Sequence, residues 1–600
     1  MKIRRHYLAL RNAFPDISED TPLDITVQEL ADLLTCTHRN MVLLLKRMQQ
    51  EGWLVWTPKK GRSNRSTLIF TASRERVILE EAQEMVDKQN LRSALDLLHT
   101  ENSSTGIRGQ FQDWLSEQFG FHSEIQGQRR MDILRFPLPQ TIHSLDPAAI
   151  HFTGESHLVN QLFDGLVRID YKGQSVLPHL AHAWEADAAR TTWTFYLRKG
   201  VRFHHGRDMH SGDVKYSLER LQRMAQRGLY SWAYAGIEAI ETPDDTTVRI
   251  HLAKRNEAFL PFLATNRASI VPQDFCEAAG GDFGLSPVGT GPFRLAGKEQ
   301  GIWVLEAFPS YFQGRGFLDR VEVWSLPEGE QHDASAPLPA FQVMHNARMP
   351  DMEENWRQVR QSGMTCKFIT VNEEKEGPLT NEVLRAAVDE ALDRIYLLEL
   401  LSGDVIEGGD SFWPQLEETA ARPLPKCVND VKQQLVNSGY RGETLILATI
   451  PQYEFDARAV QEVCRRAGIQ LDIRLLPAEE FKGETRMSAD LLLFAVMLDE
   501  HRELRLIDLF KSMQEHAMPD VKNWMDDKLE HILTESNASE RARHFVEMET
   551  MLKHRHSLLF LYRKHLKTAF HPSIRGISLE SLGWVRFRDL WFIPSGTDSE

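Results

Sequence analysis

The chain lacks most marks of a secreted, membrane-spanning or catalytic protein. Its five cysteines, Cys36, Cys276, Cys366, Cys427 and Cys464, lie far apart and form no CxxC pair. An odd, scattered set argues against a disulfide framework or a structural zinc site and fits a reducing compartment. The longest uninterrupted apolar run, Leu491–Leu498, has 8 residues, far short of a membrane span. The opening MKIRRHYLALRNAF is positively charged but has no apolar stretch of signal-peptide length and no small-residue cleavage site. A cytoplasmic location without membrane insertion is therefore expected. There is no P-loop, GxSxG elbow, HExxH or GxGxxG after a strand, so no nucleophile and base are assigned. The expectation is a non-enzyme without a cofactor. Nothing repeats at a fixed period.

What is present is an asymmetry. The 600 residues carry 70 Lys/Arg against 85 Asp/Glu, a net of −15. Residues 1–76 carry 13 against 8, a net of +5, so the remainder carries −20. A basic end on an acidic chain is the pattern expected when one end meets nucleic acid. At 42% hydrophobic and 26% charged, the chain is ordinary for a globular protein. Its length calls for three or more structural units.

The stretch Ile25–Phe70 gives the basic end its reading. Val27, Leu30, Ala31 and Leu34 have the spacing of a short helix. After a break at Thr35-Cys36, Thr37 is suited to cap a second helix from His38 to about Glu51. Met41, Leu44, Leu45 and Met48 form its buried stripe. The other face shows His38, Arg39, Asn40, Lys46, Arg47 and Gln50, side chains able to reach base edges and phosphates. Gly52 stops the helix. Two β-rich runs, Trp53–Thr57 and Ser66–Phe70, flank a turn with Lys59, Lys60, Arg62 and Arg65. Helix, turn, helix and basic hairpin together spell a winged helix. The expected contacts with double-stranded DNA are Thr37, His38, Arg39, Asn40 and Arg47 in the major groove. Lys59, Lys60, Arg62 and Arg65 would meet phosphates.

Further along, Ser73 is suited to cap a long helix, with a second over Leu91–His99. These helices pack on the winged helix or pair two subunits. Glu101–Gly109 is polar and reads as a hinge, and Phe111–Phe121 has a helical pattern. From Met131 short β-like runs alternate with helices and Pro/Gly turns. Strands are expected over Trp193–Leu197, Val201–His204, Thr247–Leu252, Thr444–Thr449, Gln470–Leu475 and Leu491–Val496. Helices are expected over Glu155–Phe163, Ser211–Leu221, Asn381–Leu401 and Asp456–Ala467. Leu326–Pro339 is the least regular stretch and reads as a loop or crossover. His204-His205 would face opposite sides of a strand, which disfavours a shared metal. Gly289–Gly291 reads as a structural turn rather than a phosphate cradle.

This second region resembles the family 5 solute-binding proteins of the oligopeptide-binding type. The segments that carry the likeness are QLFDGLV from Gln161, LPHLA from Leu177 followed by Trp184-Glu185, WTFYLRKGVRFHHG from Trp193, SGDV from Ser211, and PVGTGPF from Pro287. With the winged helix in front, the whole is similar to the SgrR family of transcriptional regulators. Glu29-Leu30-Ala31, Gly52-Trp53-Leu54, Gly61-Arg62, Arg575-Gly576-Ile577 and Leu582-Gly583-Trp584 bring that family to mind.

The resemblance implies a multidomain chain, with an all-α winged-helix N-terminal domain and an α/β, two-lobed body like the periplasmic binding proteins of type II. The expected divisions are a DNA-binding domain over 1–72, a helical linker over 73–130 and a solute-binding body over 131–600. Lobe I would hold about 131–335 and 550–600, and lobe II about 336–549. By position, Asp499 resembles the aspartate that pairs with a ligand amine in peptide-binding relatives, although the aromatic before it and the Asp-Pro after it are missing. Of the aromatics Trp232, Tyr234, Phe412 and Trp413, the last is the best candidate for a ligand contact. The expected function is a ligand-responsive transcriptional regulator that senses a small solute, whether peptide, sugar phosphate or chelate. RNA polymerase and a second copy of the chain are further expected partners. The alternative is the solute-binding component of an ABC importer, with the N-terminal module used for docking.

Overall fold

The computed structural model describes residues 2–59, 65–88, 90–100, 105–127, 129–138, 140–150, 152–170, 175–224, 228–299, 301–325, 343–345, 357–401, 406–409, 411–413, 428–570, 574–578 and 584–593. The chain divides into two compact units. One comprises Met1–Thr141, Ala296–Leu305 and Arg320–Gln342. The other comprises Ile142–Leu295, Glu306–Asp319 and Val343–Glu600. Contacts thus group residues beyond 130 with the N-terminal helices, past the expected start of the body.

The first unit begins with helix α1, Lys2–Ala13, then strand β1, Pro22–Ile25, and helices α2, Val27–Leu33, and α3, His38–Gln50. Strands β2, Leu54–Thr57, and β3, Ser66–Phe70, follow. Thr26 and Glu29 form a capping box: Glu29 N donates to Thr26 Oγ1 at 3.2 Å, and Thr26 N donates to Glu29 Oε2 at 2.8 Å. Both satisfy amides that the first helical turn leaves open. Between α2 and α3 Thr35 takes a left-handed conformation, φ 50°, and Cys36 N donates to Ala31 O at 2.9 Å. Thr37 caps α3, accepting from Asn40 N at 3.3 Å. Gly52 ends it at φ +73°, a conformation glycine adopts without steric cost.

The strands form a three-stranded sheet of order β1-β3-β2. Strand β1 has no counterpart among the strands expected from the sequence. That strand is legible only through its partner, because Pro22–Ile25 pairs antiparallel with Ser66–Ile69. Tyr7 of α1 sits beneath, fully buried. Its hydroxyl lies 2.6 Å from Ala72 O and 3.0 Å from Trp53 O, and burial pushes its pKa up to about 12. Its ring packs against Trp53 and Phe70, with centroids 5.4 and 5.9 Å away. Met41, Leu44, Leu45 and Met48 join the same core.

Helices α4, Arg74–Asp87, α5, Leu91–Thr100, and α6, Thr105–Glu117, complete the helical part, with Ser73 capping α4. The expected hinge over 101–109 is corrected in part: Thr105–Gly109 is the first turn and a half of α6, while 101–104 lie outside the described residues. The helical pattern of Phe111–Phe121 ends early. Gly120–Gln126 is a strand that pairs antiparallel with Arg129–Leu138. They are the last two members of a five-stranded sheet ordered Phe293–Glu299, Ile302–Ala307, Arg320–Ser325, Arg129–Leu138, Gly120–Gln126.

The second unit holds a four-stranded sheet ordered Ile237–Asp244, Thr247–Leu252, Thr192–Leu197, Ala181–Ala186. Alternate residues of Thr192–Leu197 are buried, as a half-buried strand requires. Val201–His204, expected as a strand, forms only the bridge Arg202↔Asp208. Gly289 and Gly291 press on the backbone of helix α7, Thr153–Leu162, where a β-carbon would collide with Leu162. Gly291 N donates to Leu162 O at 3.0 Å. His204 is spent on the same turn: its Nδ1 accepts from Gly289 N at 3.2 Å and its Nε2 lies 3.1 Å from Gly291 O. Burial lowers its pKa to about 4.

A mixed seven-stranded sheet follows. Its path runs Val343–His345, Leu558–Phe570, Arg357–Val371, Leu491–Met497, Thr444–Thr449, Gln470–Leu475, and Ile406–Glu407 pairs with Leu558–Phe570. Helix α8, Glu454–Ala467, makes the crossover between the parallel strands Thr444–Thr449 and Gln470–Leu475, the usual connection for such a pair. Leu558–Phe570 falls within the span expected for lobe I. It pairs instead with Arg357–Thr370, at the heart of the sheet expected to build lobe II. Asn381–Leu401 is not one helix but two, Glu382–Ala391 and Arg394–Leu401. Asp393 caps the second, its Oδ1 accepting from Ile395 N and Tyr396 N, each at 3.1 Å.

Candidate functional site

Two places carry the chemistry the sequence singles out, one in each unit. In the first, α3 turns His38, Arg39, Asn40, Val42, Leu43, Lys46, Arg47, Gln49 and Gln50 to solvent. No acid occurs between His38 and Gln50. Among the described residues, Arg39, Lys46 and Arg47 have no ion-pair partner, so the helix presents three uncompensated cations. Thr37 is exposed, but its hydroxyl is engaged as the cap. Gln49 Oε1 accepts from Trp56 N at 3.0 Å and ties α3 to β2. At the wing, Lys59 Nζ lies 3.9 Å from Asp24 and Arg65 Nη2 lies 3.3 Å from Glu29, all four side chains exposed. Such pairs contribute about 0–1 kcal/mol, so a phosphate displaces them at little cost. Lys60 and Arg62 lie outside the described residues.

In the second unit, strand Leu491–Met497 delivers Asp499 to the start of helix α9, Arg502–Met513. The carboxylate is not open to a ligand amine as expected. It is buried and held by Arg505, with Nε to Oδ1 at 3.0 Å and Nη2 to Oδ2 at 2.7 Å. His501 N donates to Oδ1 at 2.9 Å. Burial pushes the Asp499 pKa up, but the charge and hydrogen bonds of Arg505 outweigh it and hold the group below the usual carboxylate range. This two-pronged pairing is the strong form of the interaction. The position that resembles the ammonium acceptor is filled by the chain's own guanidinium. Spacing was the available signal, since an arginine six residues on falls on the first turns of the next helix.

Around this pair, His501 is kept neutral by burial, its pKa lowered to about 4. Asp508, on the same helix, accepts from Tyr230 N at 2.9 Å. Burial raises its pKa to about 6, against the opposing pull of that N–H. The native state therefore holds this proton more tightly than the unfolded chain, and stability falls as pH rises from about 3.8 to about 6. Asp508→Asn keeps the acceptor oxygen and removes the charge. It is expected to add about 1–3 kcal/mol at pH 7 and little at pH 4, as urea unfolding at the two pH values would show. Equal effects at both would count against a buried charge.

Trp413 is half-buried. Its ring packs at 5.9 Å from Phe545 and carries the guanidinium of Arg502 at 4.8 Å. Burial lowers the Arg502 pKa, and among the described residues it has no ion-pair partner. The sequence reading missed Arg502, Arg505 and Asp508. Phe412 and Tyr234 are core residues, 0% and 1% exposed. Among the described residues, no group of three or more His, Cys, Asp or Glu is placed to hold a metal, and no helix is long and apolar enough to cross a membrane.

Residues 175–510 match the family model for bacterial extracellular solute-binding proteins, family 5. The chain belongs to this family. Its residues 2–120 match the sugar transport-related sRNA regulator N-terminal domain, so this family 5 protein carries an SgrR-type head on a solute-binding body. Relatives align along nearly the whole chain. The HTH-type transcriptional regulator SgrR of Yersinia enterocolitica is 26% identical over 615 residues, covering 99% of each chain. YhjP of Bacillus subtilis is 28% identical over 603 residues, covering 98% of this chain and all of its own.

Solved structures share the fold of the body, that of the type II periplasmic binding proteins. The periplasmic binding protein DppA of Helicobacter pylori, in complex with the peptide STSA, aligns over 77% of this chain and 98% of its own, with a TM-score of 0.64 at 19% identity. NikA of Brucella suis, in complex with Fe(III)-EDTA, aligns over 77% and 100%, with a TM-score of 0.66 at 17% identity. Of these, SgrR is a transcriptional regulator and DppA a periplasmic binding protein.

Proposed function

We propose that this chain is a cytoplasmic, ligand-responsive transcriptional regulator. The winged helix binds operator DNA, and the family 5 body binds a small solute whose occupancy shifts DNA affinity. The observation that carries the reading is the outward face of α3, acid-free and with three cations that have no partner among the described residues. Arg39, Asn40 and Arg47 are assigned to base edges, because arginine pairs bidentately with guanine and asparagine with adenine. Thr37 and His38 stand at the entry of the same helix. Lys59, Lys60, Arg62 and Arg65 are assigned to phosphates, which position the protein without reading sequence.

For the body, Trp413 with Arg502 is the assigned solute contact. Asp499 enters as the partner that fixes Arg505, so the solute is one that does not depend on placing an ammonium there. Peptide, sugar phosphate and chelate remain the classes to screen. By linkage, the solute acts only if the DNA-competent state binds it differently from the other state.

Selection of duplexes from a random pool by the full-length chain, followed by gel shifts, tests the reading. Arg39→Ala is expected to lose about 1–3 kcal/mol of discrimination at one base pair. Lys60→Ala is expected to weaken all sequences alike. Unchanged binding in both variants would sink the assignment.

A further inference from the structure

The outward face of α3 is not purely polar. Leu43 is 54% exposed and Val42 46%, whereas Met41, Leu44, Leu45 and Met48 on the opposite side are at most 7% exposed. At 3.6 residues per turn, Leu43 points roughly 30° from the centre of the outward face. Arg39 precedes it by one turn, and Lys46 and Arg47 follow it by one turn. Leu43 thus sits among three cations that have no ion-pair partner among the described residues, and Val42 lies beside it, one turn from Arg39 and Lys46.

We infer that Leu43, with Val42 beside it, reads thymine methyl groups in the major groove. The inference rests on α3 being the recognition helix and adds what that helix prefers. The thymine C5-methyl is the one apolar group a base pair displays in that groove, and apolar side chains recognise it. Charge complementarity selects duplex DNA as the occupant. Helix α3 of a second copy, packed across the same face, would cover the leucine but set cation against cation, since α3 carries no acid. Arg39 and Arg47 reach the neighbouring base edges and Lys46 a phosphate, while the methyl fills the space between them.

The experiment takes a duplex enriched by the full-length chain and replaces each thymine singly with deoxyuridine, which deletes only the methyl. Binding is read by fluorescence anisotropy. At one or two positions the substitution is expected to weaken the natural chain about 3- to 5-fold, the effect of one buried methyl. Leu43→Ala, a change at an exposed site that favours helix, is expected to bind the thymine and uracil duplexes equally at those positions. A chain that enriches a sequence yet tolerates uracil everywhere overturns the thymine inference and leaves DNA binding standing. A chain that enriches no sequence and retains no duplex overturns both. If Leu43→Ala converts a dimer to a monomer in sedimentation and keeps its sensitivity to uracil, a second copy covers the leucine and the inference fails.

Discussion

Replacing Arg505 with leucine is expected to destabilise the second unit by about 3–5 kcal/mol, because it strands the buried Asp499 carboxylate. The Asp499 side chain is fully buried and that of Arg505 is 19% exposed. Water cannot take over the two hydrogen bonds, and the remaining donor, His501 N, does not neutralise a charge. The double variant, Asp499→Leu with Arg505→Leu, is expected to recover most of the loss, since a buried ion pair often roughly breaks even against apolar residues of similar size. Urea unfolding followed by tryptophan fluorescence, with both singles and the double, measures this. A single-variant loss below about 1 kcal/mol, the range of an exposed pair, would show that Asp499 is solvated and open to a ligand after all.

Salt is expected to weaken DNA binding steeply, and the wing to supply much of the slope. If Lys59, Lys60, Arg62 and Arg65 each neutralise one phosphate, they contribute about −3.6 to the slope of log affinity against log salt. Between 50 and 200 mM salt that alone is roughly a 150-fold loss of affinity. Alanine at all four positions is expected to flatten the slope by about that amount while preserving the ranking of sequences, because phosphate contacts position and base contacts specify. Anisotropy titrations at four salt concentrations give both quantities. An unaltered slope would remove the wing from the interface. An altered ranking would place some of these cations on bases.

The head was largely legible in the sequence because its signals are local. A helix stripe such as Met41, Leu44, Leu45 and Met48, a cap such as Thr37 and a stop such as Gly52 act within one or two turns of where they are read. The misses fall where a distant partner decides. Pro22–Ile25 becomes a strand only because Ser66–Ile69 lies beside it. Leu558–Phe570 is not among the expected strands, and its position in the chain says nothing of its neighbours in the sheet. The break in Asn381–Leu401 was available in principle, since Asp393 is a good cap in mid-pattern, but apolar periodicity runs through it.

The candidate site in the body shows the same division. The resemblance to peptide-binding relatives brought out Asp499 and implied an ammonium partner for it. Charge, burial and spacing are not enough to say which cation a carboxylate meets, because that depends on how strand Leu491–Met497 hands the chain to α9. The tertiary structure decided that the cation is Arg505, and that Arg502 is left on Trp413. By itself the sequence determined the class of the protein: a basic helix–turn–helix head with no catalytic motif, joined to a body whose ordered motifs resemble one binding family. Those are properties of residue type and short-range spacing. Only the tertiary structure decided which charges cancel one another and which are left over, because pairing of charges is a long-range contact, and the leftover ones on α3 and beside Trp413 are where a partner gains most by binding.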